Sequence, residues 1–263
     1  MPAYYAHHRF GERVLEVLEP ELKAVAEAHR AQFHIGLQGP DIFFFYRPHT
    51  KNRVSKYGHH LHRVSARPFF EHAFRVIEEK GVSGREYAYL LGFICHYILD
   101  SECHGYVDEM IEKTGVEHLE IEEEFEKMLL RMDGEDPMTF PMGDLVPQDR
   151  RTAEAIAPFY QDISVETAAR ALADLRSVKK LFTASNAAKR GLINTALKMS
   201  GHYASLKGLM HQKKDNPKCA ESNTGLLKRF EAAVPIAATM IKSYDESLRT
   251  GSRLDPRFDR NFE

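Results

Sequence analysis

From Tyr87 to Leu99 the chain runs almost without a polar side chain, yet His96 interrupts the run and Asp100 and His104 follow it directly. The run is too short to span a bilayer. Its residues are apolar almost all round a helix, so the helix expected over Gly84–Cys103 belongs in a protein interior. A carboxylate placed there is costly unless a cation or several donors compensate it. His96, Asp100 and His104 stand at i, i+4 and i+8, so they share one face with a drift of about 40° per step. Two readings follow from that stretch alone: a buried His–Asp hydrogen-bonded pair, or a metal site.

The histidine distribution favours metal. Of 14 histidines, twelve fall between His7 and His118. Structural histidines have no reason to crowd into one half of a chain. A second pair, His118 and Glu122, sits in an otherwise acidic run, Glu117 to Glu124. On a helix these two fall on the stripe of Ile121, Phe125, Leu129 and Met132, whereas Glu120, Glu123 and Glu124 are expected on the solvent side, solubilising the surface. Imidazole and carboxylate one turn apart are a common zinc clamp. Asp41 follows Gly39-Pro40 and precedes Ile42-Phe43-Phe44-Phe45, where it reads either as a ligand or as a loop cap.

Helical periodicity dominates elsewhere, and no alternating strand pattern stands out. Helices are expected near Phe10–Arg30, Ala66–Lys80, Gly84–Cys103, Val116–Arg131, Arg150–Tyr160, Val165–Ser185, Ala187–Tyr203 and Glu221–Arg249. Pro20 should kink or divide the first. Ser83 and Glu86 offer the third a capping box. His34–Tyr57 and Asp133–Gln148 read as long loops. The expected class is all-α, with a metal-binding helical core over 1–135 and a C-terminal helical part over 136–263 packed into the same domain.

Composition narrows the function. A net charge of −2 gives no global basic field, which argues against a nucleic-acid partner. Three cysteines make no disulfide framework, and the first residues lack the basic flank and apolar core of a secretory signal. A cytoplasmic enzyme without a transmembrane segment is the resulting expectation; the oligomeric state is left open.

The segments His7–Val14, Gly39–Phe44 and Leu91–Asp100, followed in order by His118 and Glu122, resemble the zinc-dependent phospholipase C family over about the first 135 residues. The resemblance implies an all-helical phosphoesterase holding two or three Zn2+ ions between helices. It implies that Asp41, His62, His96 and Asp100 hold one zinc, and that His104, His118 and Glu122 hold a second. The N-terminal residue, His7 and a bridging Asp100 would hold a third, and Asp41 would also orient or deprotonate the attacking water. His62 is preferred to His59 because Arg63–Phe70 resembles the family's stretch after that ligand. Cys95 and Cys103 are expected to pack, and the remaining histidines to be structural or superficial.

The related secreted phospholipases and fungal single-strand nucleases use an N-terminal tryptophan as ligand, and this chain has none. Pro2 stands five residues before His7, so its amine and carbonyl can take that place if Met1 is removed; the bland alternative is a frayed terminus. The substrate class implied is a phosphate ester, phospholipids included, with Phe43–Tyr46 either flanking the cleft or packing beneath it. Two rivals stand beside this reading: a nuclease or nucleotidase on the same scaffold, and a non-catalytic zinc-stabilised lipid- or protein-binding module.

Overall fold

Twelve helices are described in the computed structural model, which covers residues 3–263, and no strand occurs among the described residues. The helices are α1 Tyr4–Val17, α2 Pro20–Ala28, α3 Arg30–Gly36, α4 Arg53–Arg63, α5 Arg67–Lys80, α6 Arg85–Thr114, α7 His118–Met132, α8 Arg150–Ile156, α9 Val165–Phe182, α10 Ala187–Met199, α11 Tyr203–Leu206 and α12 Ala220–Thr250. The expected all-α class is what the chain adopts. Pro20 divides the first expected helix: it occupies the first turn of α2, where a missing N–H costs nothing.

The axis of the fold is α6, 30 residues long and buried on every side from Tyr87 to Asp100. Its interior course follows from its composition, since no face of this segment is polar enough for water. It extends well past the expected end at Cys103 and stops at Gly115, whose φ of +69° lets its N–H bond the Ile111 carbonyl. Its start corrects the capping box: Gly84 is the N-cap and no side chain caps it.

Helices α3 and α12 pack on α6. The approach of α3 is close enough that a Cβ on Gly92 would lie 2.1 Å from the Phe33 carbonyl oxygen, and one on Gly36 would lie 2.1 Å from that of Tyr89. Backbone contact on this scale pins the register of α6 against the segment leading to Asp41. On the other side, α12 ends at Gly251 in the same left-handed conformation as Gly115.

The region expected as a loop over His34–Tyr57 is about half helical. It contains the end of α3, a 3₁₀ turn at Gly39–Phe43, and the start of α4, capped by the Asn52 side chain on the Ser55 N–H. Gly36, Gly39, Pro40 and Pro48 break the helical period and hide these short turns. Irregular chain does fill most of Asp133–Gln148, between α7 and α8. Core residues come from both sides of it, with Phe10, Phe125, Phe230 and Ile241 all fully buried.

The acidic run on α7 is the clearest departure from expectation. Glu123, Glu124 and Glu126 are buried, not solvated. The wholly buried ammonium of Lys127 lies 2.9 Å from Glu124 Oε1, 3.4 Å from Glu123 Oε1 and 3.0 Å from Asp215 Oδ1. Backbone N–H groups of Gln212, Asn216 and Tyr5 donate to the carboxylates of Glu123, Glu124 and Glu126. The run therefore fastens the C-terminal part to α7 and α1. Periodicity alone cannot reveal a covering layer contributed from ninety residues away.

Candidate metal centre

Five elements converge at the middle of α6. Helix α1 brings His7, the 3₁₀ turn brings Asp41, α4 brings His62, α6 brings His96, Asp100 and His104, and α7 brings His118 and Glu122. Of these eight, only His118 is not buried. Donor atoms come together in three groups, each within 4.8 Å: His7, His96 and Asp100; Asp41, His62 and His96; and His104, His118 and Glu122. Asp100 links them. Its carboxylate oxygens lie 3.2 Å from His7 Nε2, 3.4 Å from His96 Nε2, 3.7 Å from His62 Nε2 and 3.9 Å from His104 Nδ1.

The backbone orients three of the imidazoles. His62 Nδ1–H donates to the Gly58 carbonyl at 2.9 Å, His96 Nδ1–H to Leu37 at 3.2 Å, and His104 Nδ1–H to Phe262 at 2.7 Å. A proton held on Nδ1 leaves the Nε2 lone pair facing the interior, the arrangement by which proteins prepare histidines for a metal. Accordingly, Nε2 of His7, His62 and His96 and Oε2 of Glu122 are buried without a hydrogen-bond partner among the described residues. His62 Nε2 is only 2.9 Å from Asp41 Oδ1 but poorly aligned for a hydrogen bond. Buried donor atoms gathered this closely, several of them unsatisfied, are what a cation would satisfy, although His118 Nε2 already meets Glu122 Oε1 at 2.7 Å. The nitrogen-and-oxygen donor set suits zinc and contains no thiolate.

Electrostatics favour neutral imidazoles at His96 and His104 and ionised carboxylates at Asp41 and Asp100. Burial pushes the His96 imidazole down to about 3 and lowers that of His104. At His62 and His118 burial works the same way, but the carboxylates of Asp41 and Glu122 outweigh it and raise both. Burial opposes ionisation of Asp41 and Asp100, yet the imidazoles around them contribute to holding both below the usual carboxylate range.

Local sequence explains the placement. Gly39 has φ of +46°, and a Cβ there would fall 2.2 Å from the His96 ring. Glycine at that position both makes the turn and lets Asp41 approach His96. His62 enters the cluster, whereas His59 stacks on Phe44 at 4.1 Å. Phe43 is fully buried against Tyr160, while Phe44 and Phe45 line an adjoining cleft of about 370 Å³ with His62, His104, His118, Leu206 and Leu209. Cys95 and Cys103 are buried, and burial raises both thiols. Pro2 lies outside the described residues.

Two features escaped the sequence reading. The C-terminal tail closes the site: Phe262 orients His104 through its carbonyl, donates its N–H to the His62 carbonyl at 3.1 Å, and sets its ring 5.1 Å from that of His62. No spacing rule relates residues 158 positions apart. The other is a half-buried group of His8, Glu12 and His34. There Glu12 already accepts from His34 Nε2 at 2.6 Å and from the Arg30 guanidinium, an ion-paired surface arrangement.

Fold and donors together define an all-helical protein with grouped His, Asp and Glu donors, compatible with zinc, between its helices. Residues 6–182 match the family model described as zinc dependent phospholipase C, and the chain belongs to that family. No curated protein and no solved structure matches the chain significantly. No helix among the described residues is long and apolar enough to cross a membrane.

Proposed function

We propose that this protein is a zinc-dependent phosphodiesterase of the phospholipase C type, cleaving a phospholipid between the glycerol oxygen and phosphorus. The observation that supports it most is the set of three donor groups joined through His96 and Asp100 and opening onto an apolar cleft. His7, Asp41, His62, His96, Asp100, His104, His118 and Glu122 are the proposed ligands of two or three ions. Zinc bound there would supply Lewis-acid activation of water and charge neutralisation at the phosphoryl oxygens.

The remaining work falls to the chain. Asp41, ionised and fixed by its turn, orients the attacking water and takes its proton. Asp100 holds the groups in mutual register from the buried face of α6. Phe44, Phe45, Leu206 and Leu209 receive acyl chains and exclude water from the reacting centre.

The test is a substrate panel given to zinc-reconstituted protein: short-chain phosphatidylcholine and phosphatidylglycerol, an aryl phosphodiester, aryl phosphomonoesters and single-stranded oligonucleotides. Release of diacylglycerol that stops with a chelator and returns with zinc is expected. Cleavage of no phosphodiester by zinc-replete protein refutes the proposal, and faster cleavage of oligonucleotides assigns the scaffold to the nuclease reading.

A further inference from the structure

The forty residues from 175 to 214 contain nine lysines and arginines and no aspartate or glutamate. In a chain of net charge −2, that leaves the other 223 residues at −11. The segment begins within α9, continues through α10 and α11, and reaches the cleft wall at Leu206 and Leu209. Gly208 lets that wall close on α7, since a Cβ there would lie 2.2 Å from the Leu119 carbonyl oxygen.

Helix α10 is unlike the others of its length in burying no residue at all. Its outer face carries Ala188, Leu192, Ala196 and Met199, spaced as one stripe of a helix, with Leu192 72% and Met199 84% exposed. Cations flank the stripe. Lys189 and Arg190 donate to backbone carbonyls of residues 180–185 and so keep their net charge. Lys198 is exposed beside the Tyr203 ring, and Lys213 and Lys214 are exposed beyond it. Elsewhere in the segment Lys207 pairs with Glu120, and Arg176 and Lys180 with Asp144.

We infer that α10 and its flanking lysines dock the protein on the anionic surface of a phospholipid bilayer, seating the mouth of the cleft against the lipid. A cationic helix with an exposed apolar stripe lies in the plane of such an interface, its apolar side chains entering the headgroup boundary. Each lysine held near an anionic leaflet strengthens binding about fivefold. Nucleic acid fits the segment less well, because Leu192 and Met199 offer a base neither a hydrogen bond nor an aromatic face. The inference extends the phospholipid reading, but its test is independent of turnover.

Full-length protein should float with vesicles of phosphatidylcholine containing about 30% phosphatidylglycerol, weakly with pure phosphatidylcholine, and less as salt rises. The double variant Leu192→Asp, Met199→Asp should lose at least about tenfold in vesicle partitioning. Lys198→Glu should lose about fivefold or more. Both should keep the wild-type circular dichroism, zinc content and rate on monomeric short-chain substrate. Partitioning of the double variant within about twofold of wild type overturns the inference. Equal binding to neutral vesicles overturns it too, as does displacement from vesicles by a single-stranded oligonucleotide. Flotation by a protein that cleaves no phosphodiester supports the docking surface and counts only against the proposed reaction.

Discussion

Asp100→Asn separates a metal-bridging carboxylate from one that merely partners histidines. The side chain is wholly buried and lies within 3.9 Å of four imidazoles. Asparagine keeps the shape and one oxygen donor but removes the charge that a dication requires. Even partners that only orient a ligand are worth 10- to 100-fold in metal affinity, so loss of this charge should cost about 100-fold. A site saturated at about a thousand times its Kd adds about 4 kcal/mol to stability, of which a 100-fold weakening removes about 2.7 kcal/mol. For a chain of this size that is a fall of about 5–10 °C in Tm. Thermal melts of chelated and zinc-loaded protein measure it directly. In chelated samples both proteins lack the metal contribution, so the difference between the zinc-induced shifts isolates the bridge. Equal zinc-induced shifts in wild type and Asp100→Asn would refute the bridging role, whatever the variant's absolute stability.

Asp41→Asn should retain fold and most zinc while kcat on the best phosphodiester falls at least about 100-fold; unchanged kcat removes Asp41 from the chemistry. His96 is pushed down to about 3 by burial, so the unfolded chain binds the extra proton below its ordinary value of 6.5. Stability should therefore be complete above that value and fall as pH drops from there toward 3, at up to about 1.4 kcal/mol per unit for this one group. Zinc content, measured over the same range, should fall in parallel as protons compete for the ligands. Gly92→Ala forces α6 away from Phe33 and should lower both Tm and zinc content; an unaltered melt would mean that the two helices separate freely. Lys127→Met leaves Glu123 and Glu124 buried without their cation and should cost about 3–5 kcal/mol, read by denaturant unfolding.

Part of the candidate centre was readable because several of its donors are carried by signals internal to single elements. The fixed spacing of His96, Asp100 and His104 within an apolar run announces an interior polar cluster wherever that helix packs. His118 and Glu122 were separable from their acidic neighbours by the apolar stripe they share. Asp41 was ambiguous in sequence, and the structure places it among donors only because Gly39 lets its turn press on His96. The burial of Glu123 and Glu124 was misread because a helical wheel shows which way a side chain points, not what stands opposite. Gln212 and Asn216 supply what stands opposite.

The all-helical class, the interior course of α6 and the shared faces of His96, Asp100, His104, His118 and Glu122 were written into local composition and period, because burial of an apolar surface and the face of a helix are properties of contiguous residues, whereas His7 and His62 came only with the family resemblance. Which histidine of Gly58–His62 turns inward, how Asp100 comes to join separate groups, and that Phe262 orients His104 depended on tertiary packing. Each of those facts is a distance of a few ångströms between segments far apart in the chain, and such distances exist only after the helices have buried their faces against one another.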